Sequence, residues 1–393
     1  MKVLKVIHGF PPDYMAGSEV YSYHLVKELI RQGIETYVFT RVENEFDEEY
    51  KIYRENYDNI PVFRVNKPKR DYLFTDKYYD DKIDRIFEDY LLEIKPDLVH
   101  IGHLSHLSTK LVQIVKEHNI PVVYTIHDFW LYCVKGQLIN KQGNRCNGPS
   151  SEKCTVCSPY VVDVPEVESS LKHMKNVINS IDMFVSPSIT LKDFFINQGI
   201  DGEKIKYLKY GFDTEKIKFN RKVFEKDSRV IFGFMGRIIP TKGIKVLMDV
   251  FQNDPEAVLY IYGNVGSQKR FLKKENIFFK GGYDNNNINH VLSEFDVLIV
   301  PSVWLENAPL VIQEAFLAGM PVITSDIGGM AELVSDGING YTFKTGDAQD
   351  LTRVIKKIVA DPEILNGLQQ CRESVVDIKD DAGEIIKIYK ELK

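Results

Sequence analysis

Residues 300–319, which read VPSVWLENAPLVIQEAFLAG, run from a predicted strand through a loop into a predicted helix. Pro309 suits the first helical turn, Asn307 or Ala308 is the expected N-cap, and Gly319 is a natural stop. The helix is almost wholly apolar, so we expect it to be buried. A buried helix directly after an apolar strand is typical of an α/β fold with a parallel sheet.

The same alternation of strand and helix extends outward from this stretch in both directions. One helix is predicted over residues 18–30, where apolar residues recur at four-residue spacing before Gly33. Strands are predicted at 3–7, 36–40, 97–101, 122–126 and 183–186, and then at 230–235, 258–262, 277–280, 297–300 and 321–324. Such alternation predicts right-handed crossovers and parallel sheets.

A charged stretch, residues 216–229, separates two such series of strands. One wide sheet of about ten strands is the alternative, but the fresh start favours two doubly wound domains. We place the linker around residues 211–221. The predicted organisation is an N-terminal Rossmann-like domain at 1–213 with a cysteine-rich insertion at 133–157, a C-terminal Rossmann-like domain at 214–376, and a helix in 377–393 that could pack on either domain.

Length and composition exclude several classes of protein. The 393 residues suffice for two domains with large cores, and 44% hydrophobic with 27% charged residues is close to average soluble usage. A net charge of -6 argues against a broad nucleic-acid-binding surface. No apolar run is long enough for a membrane span, and residues 1–10 are too short and charged for a signal peptide. We therefore expect a cytoplasmic protein.

Two glutamates eight positions apart flank the start of the apolar helix. Free backbone N–H groups over residues 307–310 would form an anion site at the positive end of the helix dipole, worth about 0.3 to 1 kcal/mol per charge when exposed. Glu306 lies at that mouth, and Glu314 lies two turns deeper, where a buried carboxylate needs a partner. In the alternative interpretation, Glu314 caps a neighbouring loop and Glu306 is an exposed loop acid.

Two cations follow the strand predicted at 230–235. Arg237 offers a forked donor and Lys242 a compact charge, a pair suited to a diphosphate, although two solvated surface cations give the same pattern. Tyr283 follows a later strand and is placed to meet the base of a nucleotide, or it is a surface aromatic. These residues favour an anionic, nucleotide-like ligand.

The first loop after a strand ends in Gly17 and Ser18, at the predicted start of a helix. Such a pair lets backbone amides approach a phosphate, and a plain helix N-cap is the alternative. No Gly-x-Gly-x-x-Gly follows the first strand, which counts against a nicotinamide or flavin dehydrogenase. His127 directly follows the strand at 122–126, at the edge where parallel sheets bind ligands, and a structural histidine is the alternative.

Four of the five cysteines lie within 25 residues of one another. They are Cys133, Cys146, Cys154 and Cys157. One Cys-x2-Cys and two upstream thiols can supply the four ligands of a structural zinc ion. Isolated core thiols, a disulfide pair and an iron–sulfur cluster are the alternatives.

The segment 300–329 resembles the Glu-x7-Glu signature of family 4 glycosyltransferases, the retaining enzymes of GT-B architecture. Glu306 and Glu314 match its two glutamates, and the resemblance extends from about residue 17 to about residue 340. It implies two doubly wound domains that face a cleft. It also implies transfer of a sugar from a nucleotide diphosphate donor to a hydroxyl acceptor, a saccharide or a lipid-linked one, with the anomeric configuration retained.

The same resemblance implies the roles of individual residues. Arg237 and Lys242 would bind the diphosphate, Glu306 would face the donor sugar, and Glu314 would accept hydrogen bonds from the ribose. His127 would bind the sugar near the reacting carbon. The predicted catalytic residues are His127, Arg237, Lys242 and Glu306, and the predicted donor-binding residues are Gly17, Ser18, Arg237, Lys242, Tyr283, Glu306, Asn307, Ala308, Pro309, Leu310 and Glu314. Ala16 stands where the family has a glycine, which puts a very close phosphate approach at that position in doubt.

Further expectations concern metals, partners and rival functions. No catalytic metal is expected, because the chain contains no Asp-x-Asp motif. Five basic residues either touch an anionic membrane that carries a lipid-linked acceptor or form a solvated face: Lys204, Lys206, Lys209, Lys216 and Lys218. His100, His103 and His106 either line the acceptor side or belong to an ordinary loop. A nucleotide-sugar epimerase and a non-catalytic nucleotide-sugar-binding protein are the rival functions.

Overall fold

A computed structural model describes residues 1–68, 73–160, 162–220, 222–254, 256–264, 275–284, 287–369 and 371–393. The chain divides into two compact units. The first unit comprises Met1–Gly211 together with Ile378–Lys393, and the second comprises Phe212–Asp377. Residue 221, where the predicted linker range ends, lies outside the described residues.

The first unit is built on an eight-stranded sheet in the order β3-β4-β2-β1-β5-β6-β7-β8. Its strands are β1 (Lys2–Val6), β2 (Glu35–Val42), β3 (Ile52–Tyr57), β4 (Ile60–Asn66), β5 (Leu98–Ile101), β6 (Val122–Thr125), β7 (Met183–Ser186) and β8 (Ile205–Tyr207). All neighbours are parallel except β3 and β4, which form a hairpin. Asp58 and Asn59 turn this hairpin at φ 51° and 65°, the left-handed region that a two-residue turn requires.

Six helices accompany this sheet in the chain order expected for parallel crossovers. They are α1 (Gly17–Arg31), α2 (Asp81–Ile94), α3 (Leu111–Glu117), α4 (Ser151–Cys157), α5 (Val164–Asn179) and α6 (Ile189–Asn197). Side-chain caps begin several of them: Asp80 accepts from the backbone of Lys82 and Ile83, and Ser188 accepts from that of Leu191. The prediction of a helix over residues 18–30 is confirmed by α1.

The second unit is a six-stranded, wholly parallel sheet in the order β11-β10-β9-β12-β13-β14. Its strands are β9 (Ile231–Met235), β10 (Val258–Tyr262), β11 (Ile277–Gly281), β12 (Val297–Val300), β13 (Val322–Ser325) and β14 (Gly340–Phe343). Its helices are α7 (Ile244–Phe251), α8 (Ile288–Ser293), α9 (Leu310–Leu317), α10 (Gly328–Leu333) and α11 (Ala348–Ala360). The central strands are apolar on both faces, since Val297, Leu298 and Ile299 are all fully buried. The prediction of two doubly wound sheets is confirmed.

The last helix, α12 (Ile378–Leu392), belongs to the first unit although the second unit precedes it in the chain. The Asp381 carboxylate accepts from the Tyr21 hydroxyl at 2.9 Å and from the Gly211 backbone at 3.0 Å. The Tyr389 hydroxyl lies 2.6 Å from His100 Nδ1. Buried polar contacts thus attach α12 to α1 and β5. Within the described ranges, no helix combines the length and the apolar composition needed to cross a membrane.

Candidate active site

The apolar helix of the second unit begins where its loop leaves the sheet. β12 ends at Val300, and α9 starts at Leu310 with Pro309 as its N-cap, so the prediction of Asn307 or Ala308 as N-cap is wrong. The ψ of 117° keeps Pro309 outside the helix, and Pro309 has no N–H to offer an anion. Buried Ile312, Phe316 and Leu317 confirm that the helix lies in the core. Within residues 307–310, the backbone amides that could bind an anion are therefore those of Asn307, Ala308 and Leu310.

Glu306 lies at the centre of a hydrogen-bonded group at the carboxyl edge of this sheet. Its Oε1 accepts from Lys242 Nζ at 2.5 Å, from Ser302 Oγ at 2.7 Å and from Trp304 Nε1 at 2.9 Å. Only 7% of Glu306 is exposed, so the alternative interpretation as an exposed loop acid is wrong. The structure thus brings together Glu306 and Lys242, which are 64 positions apart in the chain.

Close backbone packing holds the two loops of this group together. Gly243 has φ 74°, and a Cβ there would lie 1.8 Å from the Pro301 carbonyl oxygen. The Val303 amide donates to the Thr241 carbonyl at 2.9 Å. β9 and β12 are parallel neighbours, so the loops that follow them emerge at the same edge of the sheet. This contact places Lys242 beside Glu306.

The start of α10 supports the backbone of the same residue. The Gly329 amide donates to the Glu306 carbonyl at 2.9 Å, and a Cβ at Gly329 would lie 1.4 Å from the Asn307 carbonyl oxygen. Only glycine fits this approach. The start of α10 therefore fixes the backbone on which Glu306 is carried.

Arg237 follows β9 and is exposed. Among the described residues, its guanidinium makes no ion pair and does not join the Glu306 group. The structure leaves it at the same sheet edge as Lys242, on a loop that begins at Gly236 with φ 145°. A charged group free of such contacts is available to an anionic ligand.

Glu314 and Tyr283 form a second pair in the same unit. Burial raises the pKa of Glu314 to about 7, against the opposing influence of the Lys216 charge. Burial and the neighbouring Glu314 raise the pKa of the Tyr283 hydroxyl as well. Tyr283 is half-buried, and its ring packs edge-on against Tyr262 with centroids 6.4 Å apart. Tyr283 thus offers a neutral hydroxyl at neutral pH, whereas the charge of the Glu314 carboxyl changes near pH 7.

The first unit carries its own polar cluster at the end of β1 and the start of α1. The predicted phosphate loop residues, Gly17 and Ser18, open α1 with Ala16 as N-cap. Ser18 Oγ donates to Glu19 at 2.8 Å, and Glu19 Oε1 lies 3.2 Å from His8 Nε2. Burial disfavours the Glu19 anion, but the bonds from His8 and Ser18 lower its pKa to about 2. Ser18 is thus engaged with a neighbouring side chain.

The ends of β5 and β6 carry a second set of histidines. His127 Nδ1 lies 2.5 Å from the Tyr210 hydroxyl, and burial together with the Lys5 charge holds its pKa well below 6.5. His103 accepts from the Ser105 amide through Nδ1, and its Nε2 lies 3.4 Å from Asp128 Oδ1. His127 is therefore a neutral imidazole of fixed orientation at the strand end.

Of the other three histidines named from the sequence, His103 and His106 lie in the loop after β5, whereas the prediction for His100 is wrong. His100 lies inside β5 rather than at its end, is fully buried, and contacts Thr125 at 2.7 Å and Tyr389. A side chain so enclosed cannot line an acceptor site. His103 stacks near His8, with ring centroids 4.4 Å apart, and is buried as well.

The cysteine segment contains free thiols. Cys133 and Cys154 are buried, and Cys146 and Cys157 are half-buried. Burial raises the pKa of the Cys154 thiol, and the other three cysteines lie near enough to raise it further. Nevertheless, among the residues described, no three His, Cys, Asp or Glu side chains are arranged to hold a metal ion. This arrangement does not fit a zinc ion as it stands, and elemental analysis of the purified, reduced protein remains the test of that prediction.

Three site residues were not identified from the sequence. Ser302 and Trp304 lie inside the stretch 300–319, four and two positions before Glu306 respectively. Polar donors so close in sequence to a buried acid were the signal that was missed. Tyr210 follows β8, so its place at a strand end could have indicated it. All three contact residues that were predicted from the sequence.

Comparison with known proteins identifies the kind of molecule. The chain is 26% identical to an uncharacterized 42.6 kDa protein in the cps region of Klebsiella pneumoniae over 370 residues, which cover 90% of this chain and 92% of that protein. It is 24% identical to an uncharacterized glycosyltransferase of Methanocaldococcus jannaschii, with 99% and 98% covered.

Solved structures show the same architecture over the whole chain. Sucrose-phosphate synthase from Thermosynechococcus elongatus matches with a TM-score of 0.77 at 19% identity, covering 100% of this chain and 99% of that one. Anabaena HepE in complex with UDP and glucose matches with a TM-score of 0.68 at 18% identity, covering 99% of each chain. The fold is GT-B. The family model Glycosyltransferase Family 4 matches residues 15–216 and Glycosyl transferases group 1 matches residues 215–374, so the chain belongs to this family of glycosyltransferases.

Proposed function

We propose that the chain transfers a sugar from a nucleotide diphosphate sugar to a hydroxyl of a saccharide or lipid-linked acceptor, with retention of the anomeric configuration. The observation that carries this proposal is the contact between Lys242 and Glu306 at the carboxyl edge of the second sheet. It joins a cation suited to a departing phosphate to a carboxylate suited to a sugar that develops positive charge. Neither rival function, epimerase or simple binding protein, is favoured by a particular contact.

The proposed roles follow from charge and position. Arg237 and Lys242 would stabilise the departing diphosphate, together with backbone amides near the start of α9. Glu306 would hydrogen-bond the donor sugar or stabilise its positive charge. Glu314 would accept from the ribose, and Tyr283 would meet the base. His127 in the first unit would hydrogen-bond a sugar hydroxyl. No residue is assigned as a covalent nucleophile.

UDP-glucose is the first donor to test, because Anabaena HepE was solved with it. A bound donor stabilises the protein by mass action, by about 2.7 kcal/mol at 100 times its Kd. We expect one of UDP-, GDP-, ADP- or dTDP-glucose to raise the melting temperature of the wild type, and to raise that of Lys242→Ala much less. No stabilisation and no consumption of any nucleotide sugar would contradict the proposal.

Product analysis determines whether the anomeric configuration is retained, and it also distinguishes a transferase from an epimerase. Proton NMR of the product formed with an acceptor saccharide should show the anomeric coupling of the donor sugar. Incubation with the donor alone should give slow hydrolysis at most. An isomerised nucleotide sugar in that incubation would favour the epimerase instead.

Two relatives from a cps region lead us to place the acceptor in polysaccharide biosynthesis. Lys204 directly precedes β8 and Lys206 lies within it, and both are exposed. We propose peripheral contact with anionic lipids through this basic stretch. Sedimentation with anionic and with zwitterionic vesicles tests it, and equal binding to both, or to neither, would contradict it.

A further inference from the structure

Three donors converge on a single oxygen atom of Glu306, and two of them had no assigned role. Ser302 and Trp304 come from the loop that carries Glu306 itself, whereas Lys242 comes from the loop after β9. None of the three bonds uses Oε2. A carboxylate bound through one oxygen by three donors cannot rotate without losing several of them, so the direction of its second oxygen is fixed.

We infer that Trp304, assisted by Ser302, is a positioning residue that holds Glu306 Oε1 and thereby aims Oε2 at the donor sugar. This inference rests on the proposed function of Glu306 in sugar transfer. Supporting side chains of this kind keep a reacting group within a fraction of an ångström of its productive geometry. Trp304 acts on the substrate only through Glu306.

The indole contacts both members of the Lys242–Glu306 pair. Its N–H donates to the carboxylate, and Lys242 Nζ lies 5.9 Å from the centroid of its ring. Tryptophan offers a negative face to a cation and an edge donor to an anion in one rigid group. Phenylalanine would keep the face and lose the donor, so Trp304→Phe removes the hydrogen bond selectively. Ser302→Ala removes the second donor from the same oxygen.

Nuclear magnetic resonance tests the contact without a substrate. The chain has two tryptophans, Trp130 and Trp304, so its spectrum contains two indole N–H signals, and the one lost in Trp304→Phe is assigned to Trp304. We expect Glu306→Gln to shift this signal and to leave that of Trp130 unchanged, because a carboxylate polarises an N–H more than an amide does. The unchanged Trp130 signal also shows that the variant is folded. A Trp304 signal that does not respond to Glu306→Gln would overturn the inference.

Kinetics with the best donor from the nucleotide-sugar screen test the positioning role. We expect Trp304→Phe to lower kcat about 10-fold to 100-fold, as loss of an orienting partner does elsewhere, with a smaller change in KM for the donor. Ser302→Ala should lower kcat in the same way but by less, because Trp304 still donates to the same oxygen.

Val303→Ala is the matched control, since Val303 lies on the same loop between the two donors and packs against the core. It should leave kcat and the KM for the donor close to those of the wild type. A wild-type kcat in Trp304→Phe would overturn the positioning role. Absence of turnover in the wild type would instead contradict the proposed function, and the resonance experiment would still decide whether Trp304 holds Glu306.

Discussion

The polar clusters at the strand ends of the two units differ in the charge and the partners of their side chains. Eight of the nine histidines belong to the first unit, where His8, His103 and His127 are paired with acids or with Tyr210. Burial there lowers the pKa of His127 and leaves it neutral. In the second unit, the cation Lys242 meets the carboxylate of Glu306 directly. The first cluster is suited to neutral hydroxyl groups, and the second is suited to a diphosphate.

Loss of a charge in the second unit should have the largest effect. Lys242→Ala and Glu306→Ala should each lower turnover about 100-fold to 1,000-fold, because each removes a group that we propose stabilises charge in the transition state. Steady-state transfer assays measure the loss. Lys245→Ala, an exposed lysine on α7, is the control and should behave as the wild type. Wild-type transfer by either variant would remove its assigned role.

Loss of a neutral group in the first unit should cost less. His127→Ala should lower kcat about 10-fold, the equivalent of one ordinary hydrogen bond. Affinity for UDP, measured by calorimetry, should stay unchanged, because the groups assigned to the diphosphate belong to the second unit. Tyr210→Phe should show a weaker loss of the same kind, since it frees His127 Nδ1. The exposed His290 supplies the control variant, and a loss of UDP affinity in His127→Ala would break the comparison.

The sequence sufficed for the architecture, and it singled out Lys242 and Glu306 separately but not their contact. The signals that sufficed are local: strands that are apolar on both faces, and glutamates in a segment framed by Gly and Pro. Strands β9 to β13 begin and end close to the predicted residues. Strand β3 was missed because it is largely exposed and its residues IYRENY lack an apolar face. A strand that is exposed on both faces carries little periodic signal. Strand β4 was missed as well, although most of its residues are buried.

What could not be predicted depends on contacts between distant segments. The place of Trp304 beside Lys242 follows from the fit of Gly243 against Pro301, which only the folded backbone reveals. Likewise, His100 carries the same sequence signal as a site histidine, and only its contact with Tyr389, 289 positions away, makes it structural. The position of a histidine in the sequence pattern does not by itself distinguish a site histidine from a structural one.

Mild acid should loosen the first unit before the second. Burial lowers the pKa of His100 and His127 below 6.5, so the unfolded chain binds more protons than the native one as pH falls through that value. The free energy of unfolding of the first unit should therefore fall below about pH 6.5. Asp84 and Asp381, with pKa values raised to about 6, act in the opposite direction, whereas His106, with a pKa lowered to about 3, adds to the effect of the other histidines.

Hydrogen exchange at pH 7 and pH 5, corrected for intrinsic rates, measures this difference unit by unit. The second unit is the comparison. Its only histidine, His290, is exposed, and Glu314, with a pKa raised to about 7, takes up a proton over this range and so opposes a loss of stability there. Equal loss of protection in both units would show that the buried histidines do not govern acid stability.

The smallest expected effect concerns Glu314 in the second unit, because the charge of this carboxyl changes near neutral pH. A pKa of about 7 means that this carboxyl is mostly protonated at pH 6 and mostly ionised at pH 8. The ionised form is the better acceptor for ribose hydroxyls, so UDP affinity should rise about 5-fold over this range, since a bond to a charged group is stronger by about 1 kcal/mol. The phosphate of UDP itself ionises near pH 6, so titration calorimetry must compare the wild type with Glu314→Gln. The part of the pH dependence of UDP affinity that is present in the wild type and absent from Glu314→Gln belongs to Glu314. If UDP affinity depends on pH identically in both proteins, Glu314 does not contact the ribose.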